Sequence, residues 1–204
     1  MKKSFLFIKL GECLAALYFL IETKKKITNY IYSGYYKALL GVSDKSFYIE
    51  APCRVILGYK YIKIGKNFFC RSGLRMEVMR VLPDIEPKLF IGNNVQFNDN
   101  IHIGCVNSII ISNGVLVASN VYITDHFHGT ISAEELDIEP KSRKIHSKGK
   151  VYIGENVWIG ENVTILPDVK IGRNVIVGAN SVVTHSFPDS CIIAGVPAKI
   201  IKQY

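Results

Sequence analysis

A six-residue alternation of apolar and polar positions runs through the second half of this chain. From Ile153 it reads IGENVW, IGENVT, ILPDVK, IGRNVI and VGANSV. Every block opens with Ile or Val and carries Asn or Asp at its fourth place; four of the five have Gly second. The same beat opens at Ile91, Phe97 and Ile103, shifts phase by two residues, and resumes at Ile111, Val117 and Ile123. A fainter copy opens at Ile64. The slip across Ser108–Ile110 predicts a bulge or a longer turn.

A short strand with its turn cannot bury its own apolar face, so units of this size must stack into one continuous column. The opening aliphatic is expected to point inward, where burial is worth about 25 cal/mol per Å². The fourth-place residues are Asn67, Asn94, Asn100, Gly114, Asn120, Asn156, Asn162, Asp168, Asn174 and Asn180. Gly, Asn and Asp enter a left-handed backbone most cheaply, so these mark sharp corners. A β-sandwich would alternate with period two and would not repeat Gly and Asn at sixfold offsets. The prediction is an all-β solenoid, a parallel β-helix.

Within 204 residues this reads as one domain with appendages: an N-terminal helical cap over 1–47, the coil over 48–184 with a loop excursion at 127–150, and a C-terminal tail over 185–204. The formal net charge is +8. Much of it lies at the front, in Lys2, Lys3, Lys9, Lys24, Lys25, Lys26 and Lys37 against Glu12 and Glu22. Such a front suits an anionic partner: a membrane surface, a phosphate-bearing cofactor or an acidic sugar. No recognised nucleic-acid motif appears, and no nucleic-acid partner is expected. The segment Phe5–Ile21 is apolar, interrupted by Lys9 and Glu12, and shorter than the ~20 residues of a spanning helix. It is read as an amphipathic helix that caps the open end of the coil or rests on the inner membrane face. Residues 27–47 are read as a second capping piece. Cys13, Cys53, Cys70, Cys105 and Cys191 form no CxxC pair, which points to reduced thiols and a cytoplasmic protein.

The alternation stops at HFHGTISAEELDIEPKSRKIHSKGK and returns at Val151. Long loops in compact domains are commonly functional. His126 stands where this loop leaves the coil; it is either a general base or a loop histidine without a task. Asp125 could orient that imidazole or anchor the loop. His102, His126 and His128 raise a zinc site, but the last two are too close in sequence and His102 is out of step, so no metal is expected. Trp158, at an outward place, could pack on a neighbouring subunit or wall a sugar ring or cofactor arm. Asn98 could donate to a substrate hydroxyl or serve a turn. There is no phosphate-binding glycine loop and no serine elbow.

The repeat, the DHFHG tip and the tail GANSVVTHSFPDSCIIAGVPAKIIK resemble the hexapeptide-repeat acyltransferases, most of all the bacterial O-acetyltransferases of O-antigen and capsule assembly. The likeness covers most of residues 50–204. It implies a left-handed β-helix, a homotrimer with active sites between subunits, acetyl-coenzyme A as donor and a carbohydrate acceptor, nucleotide- or lipid-linked among the options. By similarity to galactoside and maltose acetyltransferases, it implies His126 as catalytic base, Asn98 on the acceptor, and the Gly160–Glu161 backbone beside the thioester. Ala179, Thr184 and His185 would fall along the pantetheine and adenine path, and Lys199 and Lys202 at the phosphates. His185 replaces a common Lys and Glu161 a common Ser. Sialic-acid O-acetyltransferases of this fold pair a Trp of the VWIG type with the histidine, which points to Trp158. Two other readings stay open: an N-acetyltransferase acting on an amino sugar, and a non-catalytic scaffold.

Overall fold

Short strands wind around a three-faced prism in the computed structural model, which describes residues 2–130 and 132–204, with side chains from residue 8 onward. The first face stacks Tyr48–Ile49, Phe69–Cys70, Gln96–Phe97, Leu116–Val117, Trp158–Ile159, Ile176–Val177 and Cys191–Gly195. The second stacks Val55–Leu57, Arg75–Val78, His102–Cys105, Tyr122–Thr124, Thr164–Ile165 and Val182–Val183. The third stacks Ile62–Ile64, Lys88–Ile91, Ser108–Ile111, Val151–Ile153 and Lys170–Ile171. The chain visits the faces in turn, so each strand pairs in parallel with one a full coil away. A sandwich of hairpins is thereby excluded.

The sixfold code explains this winding residue by residue. On the first face Cys70, Phe97, Val117, Ile159, Val177 and Ile193 fall in register. All are buried, so one aliphatic column runs the length of the prism. The fifth-place valines Val157, Val163, Val169 and Val175 are buried as well and fill the corners. All ten fourth-place residues have positive φ, between 54° and 69°. Their side chains climb from coil to coil: the amides of Asn67, Asn100, Asn156 and Asn162 donate to the oxygens of Asn94, Asn120, Asn174 and Asn180 at 3.0–3.3 Å. Second-place glycine has another cause, close approach. A Cβ on Gly154 would lie 2.6 Å from the carbonyl carbon of Gly172.

The phase slip is resolved by longer strands. Ile103 and Ile111 end up on different faces within the four-residue strands His102–Cys105 and Ser108–Ile111, joined by a corner at Val106–Asn107. One coil further on, at the same corner, the chain leaves the second face after Thr124 and rejoins the third at Val151. The base of this loop is a small antiparallel hairpin in which Phe127 pairs with His146 and His128 with Ile145.

The front of the chain differs from the sequence expectation. Lys2–Leu39 is one continuous helix, α1, rather than two pieces. The coil edge is covered by its second half, not by Phe5–Ile21. The edge strand Tyr48–Ile49 leaves backbone groups facing α1, and polar side chains of that helix satisfy them. Ser33 donates to the Ile49 carbonyl and accepts from the Ile49 N–H, each at 2.9 Å, and Asn29 accepts from the Ala51 N–H at 3.0 Å. Tyr36, Leu40 and Val42 pack on the core beside them. Leu10, Leu14, Leu17 and Ile21 are exposed instead. The side chains of Lys2, Lys3 and Phe5 lie outside the described residues. Among the described residues no helix is long and apolar enough to cross a membrane. At the far end, Ala198–Gln203 folds back antiparallel on Cys191–Gly195 within the stretch read as a tail. All five cysteines are free.

Candidate active site

His126 sits at the corner between the second and third faces, at the root of the loop. Its side chain is 8% exposed and the adjacent Asp125 carboxylate 0%. That carboxylate accepts the N–H groups of Val106 (2.9 Å) and Asn107 (2.8 Å) on the coil before it. The widened corner made by the phase slip therefore becomes a carboxylate clamp. Asp125 Oδ1 also lies 3.2 Å from His126 Nδ1, and Thr124 Oγ1 is 3.2 Å from the same nitrogen. With the carboxylate as acceptor, this geometry suits the tautomer that places the ring proton on Nδ1. No hydrogen bond engages Nε2 among the described residues. The ring lies over Gly104: a Cβ there would stand 3.0 Å from His126 Cε1. The returning leg of the loop is tied to the same corner, since Ser147 Oγ donates to the Asp125 carbonyl at 2.7 Å and receives the Asn107 side-chain amide at 3.1 Å.

Beside this imidazole the second face carries a polar row that sequence reasoning did not assemble. Arg75, His102, Tyr122 and Thr164 are in register and point outward. Glu77 bridges Arg75 Nε (2.7 Å) and His102 Nε2 (3.2 Å). Partial burial alone would raise the Glu77 carboxyl, but the Arg75 and His102 partners hold it below its usual range. Burial, then the Arg75 charge, lowers the His102 imidazole. His102 rests on the Tyr122 ring at 4.7 Å. It is thus committed to Glu77 and Tyr122 rather than to a shared ligand with His126 and His128. Among the described residues no three His, Cys, Asp or Glu side chains converge on a metal position.

The other candidate residues fall into separate neighbourhoods. Gly160, Glu161 and Ala179 meet at the corner between the first and second faces: a Cβ on Gly160 would lie 2.7 Å from the Ala179 nitrogen, and Glu161 accepts through its carbonyl from Asn180. The Gly160 N–H is already committed to the Val177 carbonyl at 2.8 Å, so it cannot also hold an oxyanion. The Glu161 N–H makes no hydrogen bond among the described residues. Asn98 lies at the same corner some coils earlier, its N–H given to Val117. Trp158 is half exposed on the first face, in register with Leu116 and Ile176. Thr184 and His185 contact each other at 3.1 Å. Lys199 and Lys202 are exposed on the terminal antiparallel strand. Within one protomer, His126 therefore stands on a different corner from Gly160, Glu161, Ala179 and Asn98. Thr124, Gly104, Asn107 and Ser147 are the site residues the sequence did not flag. Only Thr124, directly ahead of Asp125 and His126, offered a signal.

A three-faced hexapeptide coil with a buried carboxylate–imidazole pair at the root of an extruded loop defines a class. Residues 150–185 match the bacterial transferase hexapeptide model (six repeats), and the chain belongs to the hexapeptide-repeat acyltransferases. It is 43% identical over 162 residues to WbbJ of Escherichia coli (strain K12), which carries an inferred description as a lipopolysaccharide biosynthesis O-acetyl transferase; the match spans 74% of this chain and 80% of WbbJ. Among solved structures it resembles a maltose O-acetyltransferase of Clostridium difficile 630 (27% identity, TM-score 0.58, 84% of this chain and 85% of that one). It also resembles a galactoside acetyltransferase in complex with coenzyme A (29% identity, TM-score 0.51, 70% and 62%).

Asp125→Asn tests the clamp. The amide can accept only one of the two N–H groups, and an unmade buried hydrogen bond costs about 1–3 kcal/mol. It can also donate to Nδ1, which would put the proton on Nε2. The expected result is a kcat loss well beyond what the drop in thermal stability explains. Unchanged kcat with lowered stability would confine Asp125 to holding the loop.

Proposed function

We propose that this chain moves an acetyl group from acetyl-coenzyme A to a hydroxyl of a sugar in bacterial surface-polysaccharide assembly, in the cytoplasm. The observation that carries the chemistry is the His126 imidazole, clamped at Nδ1 by a buried carboxylate and unengaged at Nε2. In a ternary complex Nε2 takes the proton of the sugar hydroxyl. The oxygen attacks the thioester carbonyl, and the thiolate leaves with that proton. The Glu161 N–H, rather than that of Gly160, steadies the oxyanion. The 43% identity to WbbJ supports the polysaccharide acceptor, and the likeness to a coenzyme A complex supports the donor.

His126 and Glu161 lie on different corners of the prism. A complete site therefore combines the His126 corner of one protomer with the Glu161 corner of another, in a homotrimer of left-handed coils. In this arrangement Asn98 and Trp158 face the acceptor, Ala179, Thr184 and His185 follow the pantetheine arm, and Lys199 and Lys202 meet the phosphates.

Coenzyme A titrated into the protein should bind once per protomer, with sedimentation returning the mass of three. Lys199→Glu turns a phosphate contact into a repulsion and should weaken that binding about tenfold, a cost near 1.4 kcal/mol. Absence of coenzyme A binding would leave the scaffold reading. An alkali-stable product would indicate an amide in place of the ester.

A further inference from the structure

Directly beyond His126, under the extruded loop, is a cavity of about 420 Å³ whose walls include Phe127, His128, Arg143, His146 and Lys148. Several donors surround this one hollow. The side chains of His128, His146 and Lys148 make no hydrogen bond or ion pair among the described residues. Arg143 gives Nε to the Ile138 carbonyl at 2.9 Å and one terminal nitrogen to the Leu136 carbonyl at 3.4 Å. These bonds fix the guanidinium plane and leave its second terminal nitrogen unengaged.

Glu135 stands beside Gly129, at the edge of the hollow. Its carboxylate is taken up by the backbone N–H and the hydroxyl of Thr130, and those bonds, with Arg143 and His146 nearby, hold it below its usual range. Both bonds fall on Oε2, and the carboxylate offsets one positive charge beside the hollow. The buried Asp125 faces Val106, Asn107 and His126 instead. What remains is a pocket of donors with an aromatic wall.

The pocket also lies at a telling distance. The His128 ring that borders it is 6.5 Å from the His126 ring. That separation is comparable with the span of one sugar ring. A sugar whose hydroxyl meets His126 Nε2 would carry its next substituent into the hollow. We propose that this cavity binds an oxyanion borne by the acceptor, either the phosphate of an activated or lipid-linked sugar or the carboxylate of an acidic sugar. The inference rests on His126 receiving the acceptor hydroxyl. It adds the chemical class of that acceptor, which the family likeness leaves open. The held Arg143 guanidinium and the Lys148 ammonium, with the two imidazoles as further donors, suit such a group through charge-assisted hydrogen bonds.

Calorimetry with inorganic pyrophosphate and, separately, with glucuronate tests this on the full-length protein. At least one should bind the native chain, and the double variant Lys148→Ala/His146→Ala should weaken that binding about tenfold or more while coenzyme A affinity stays unchanged. Both side chains are exposed and free of hydrogen bonds, so the fold should survive; circular dichroism checks this. Binding of pyrophosphate alone assigns the oxyanion to a phosphate, binding of glucuronate alone to a carboxylate. No binding of either probe, binding indifferent to the double variant, or displacement of the probe by coenzyme A would overturn the proposal. Loss of the functional reading shows separately, as failure of the native chain to bind coenzyme A.

Discussion

His126→Ala should lower kcat by about 10²–10⁴-fold, the range for removing a general base, with little change in assembly or far-ultraviolet circular dichroism. The reason lies in how the ring is held. Its Nδ1 end is fixed by Asp125, which is in turn fixed by Val106 and Asn107, so the imidazole adds little to the corner's integrity. The carboxylate keeps its two backbone donors when the ring is gone. Loss of activity without loss of fold is therefore the expected pair of results, read as coenzyme A release with an accepted glycan and as a thermal unfolding curve. Near-normal turnover in a well-folded variant would remove His126 from the chemistry. A His126→Gln variant sharpens the test, because it fills the same volume without a titratable base.

The largest structural effect is expected from Ile159→Asp. Ile159 is fully buried and sits in the column between Val117 and Val177. Losing a buried Ile side chain costs about 2–5 kcal/mol, and desolvating a carboxylate with no partner adds to it. Folded domains have about 5–15 kcal/mol in all. In a stacked repeat the damage also reaches both neighbouring coils, which present Val117 and Val177 to this position. The protein should be recovered insoluble or unfold far below the native temperature. Ile159→Val, by contrast, should cost about 0.5–1.5 kcal/mol. A soluble Ile159→Asp protein with a native melting curve would contradict the inward register of the repeat.

Much of the coil was legible because its code is local. Ile153, Asn156 and Val157 each do one job, burial or corner, set by position within a block of six. The same locality made the loop visible as the place where the code stops, and with it His126. Other features are tertiary and left no such mark. Ser147 and Asn107 meet across a long stretch of chain, and neither sits in a motif. The capping role of Asn29 and Ser33 depends on which backbone groups the edge strand leaves unpaired, which hydropathy does not record. Hydropathy alone therefore points to the apolar segment Phe5–Ile21 as a cap or a membrane-surface helix. The Gly160 N–H looked available from the chain alone; its commitment to Val177 appears only once the next coil is in place. The Arg75–Glu77–His102 cluster was hidden for a related reason. Arg75 and Glu77 share one strand, but His102 lies on the next coil and joins them only through register.

The stacking of coils sets a rule for how length can vary in this protein. A whole coil inserted before Ile64 or after Val177 would leave His126 and Glu161 at their present relative heights. One inserted between Thr124 and Ile159 would displace them by a strand spacing, about 4.8 Å, more than a proton transfer tolerates. Natural insertions and deletions should thus gather toward the two ends of the prism, with the catalytic stretch keeping a constant count.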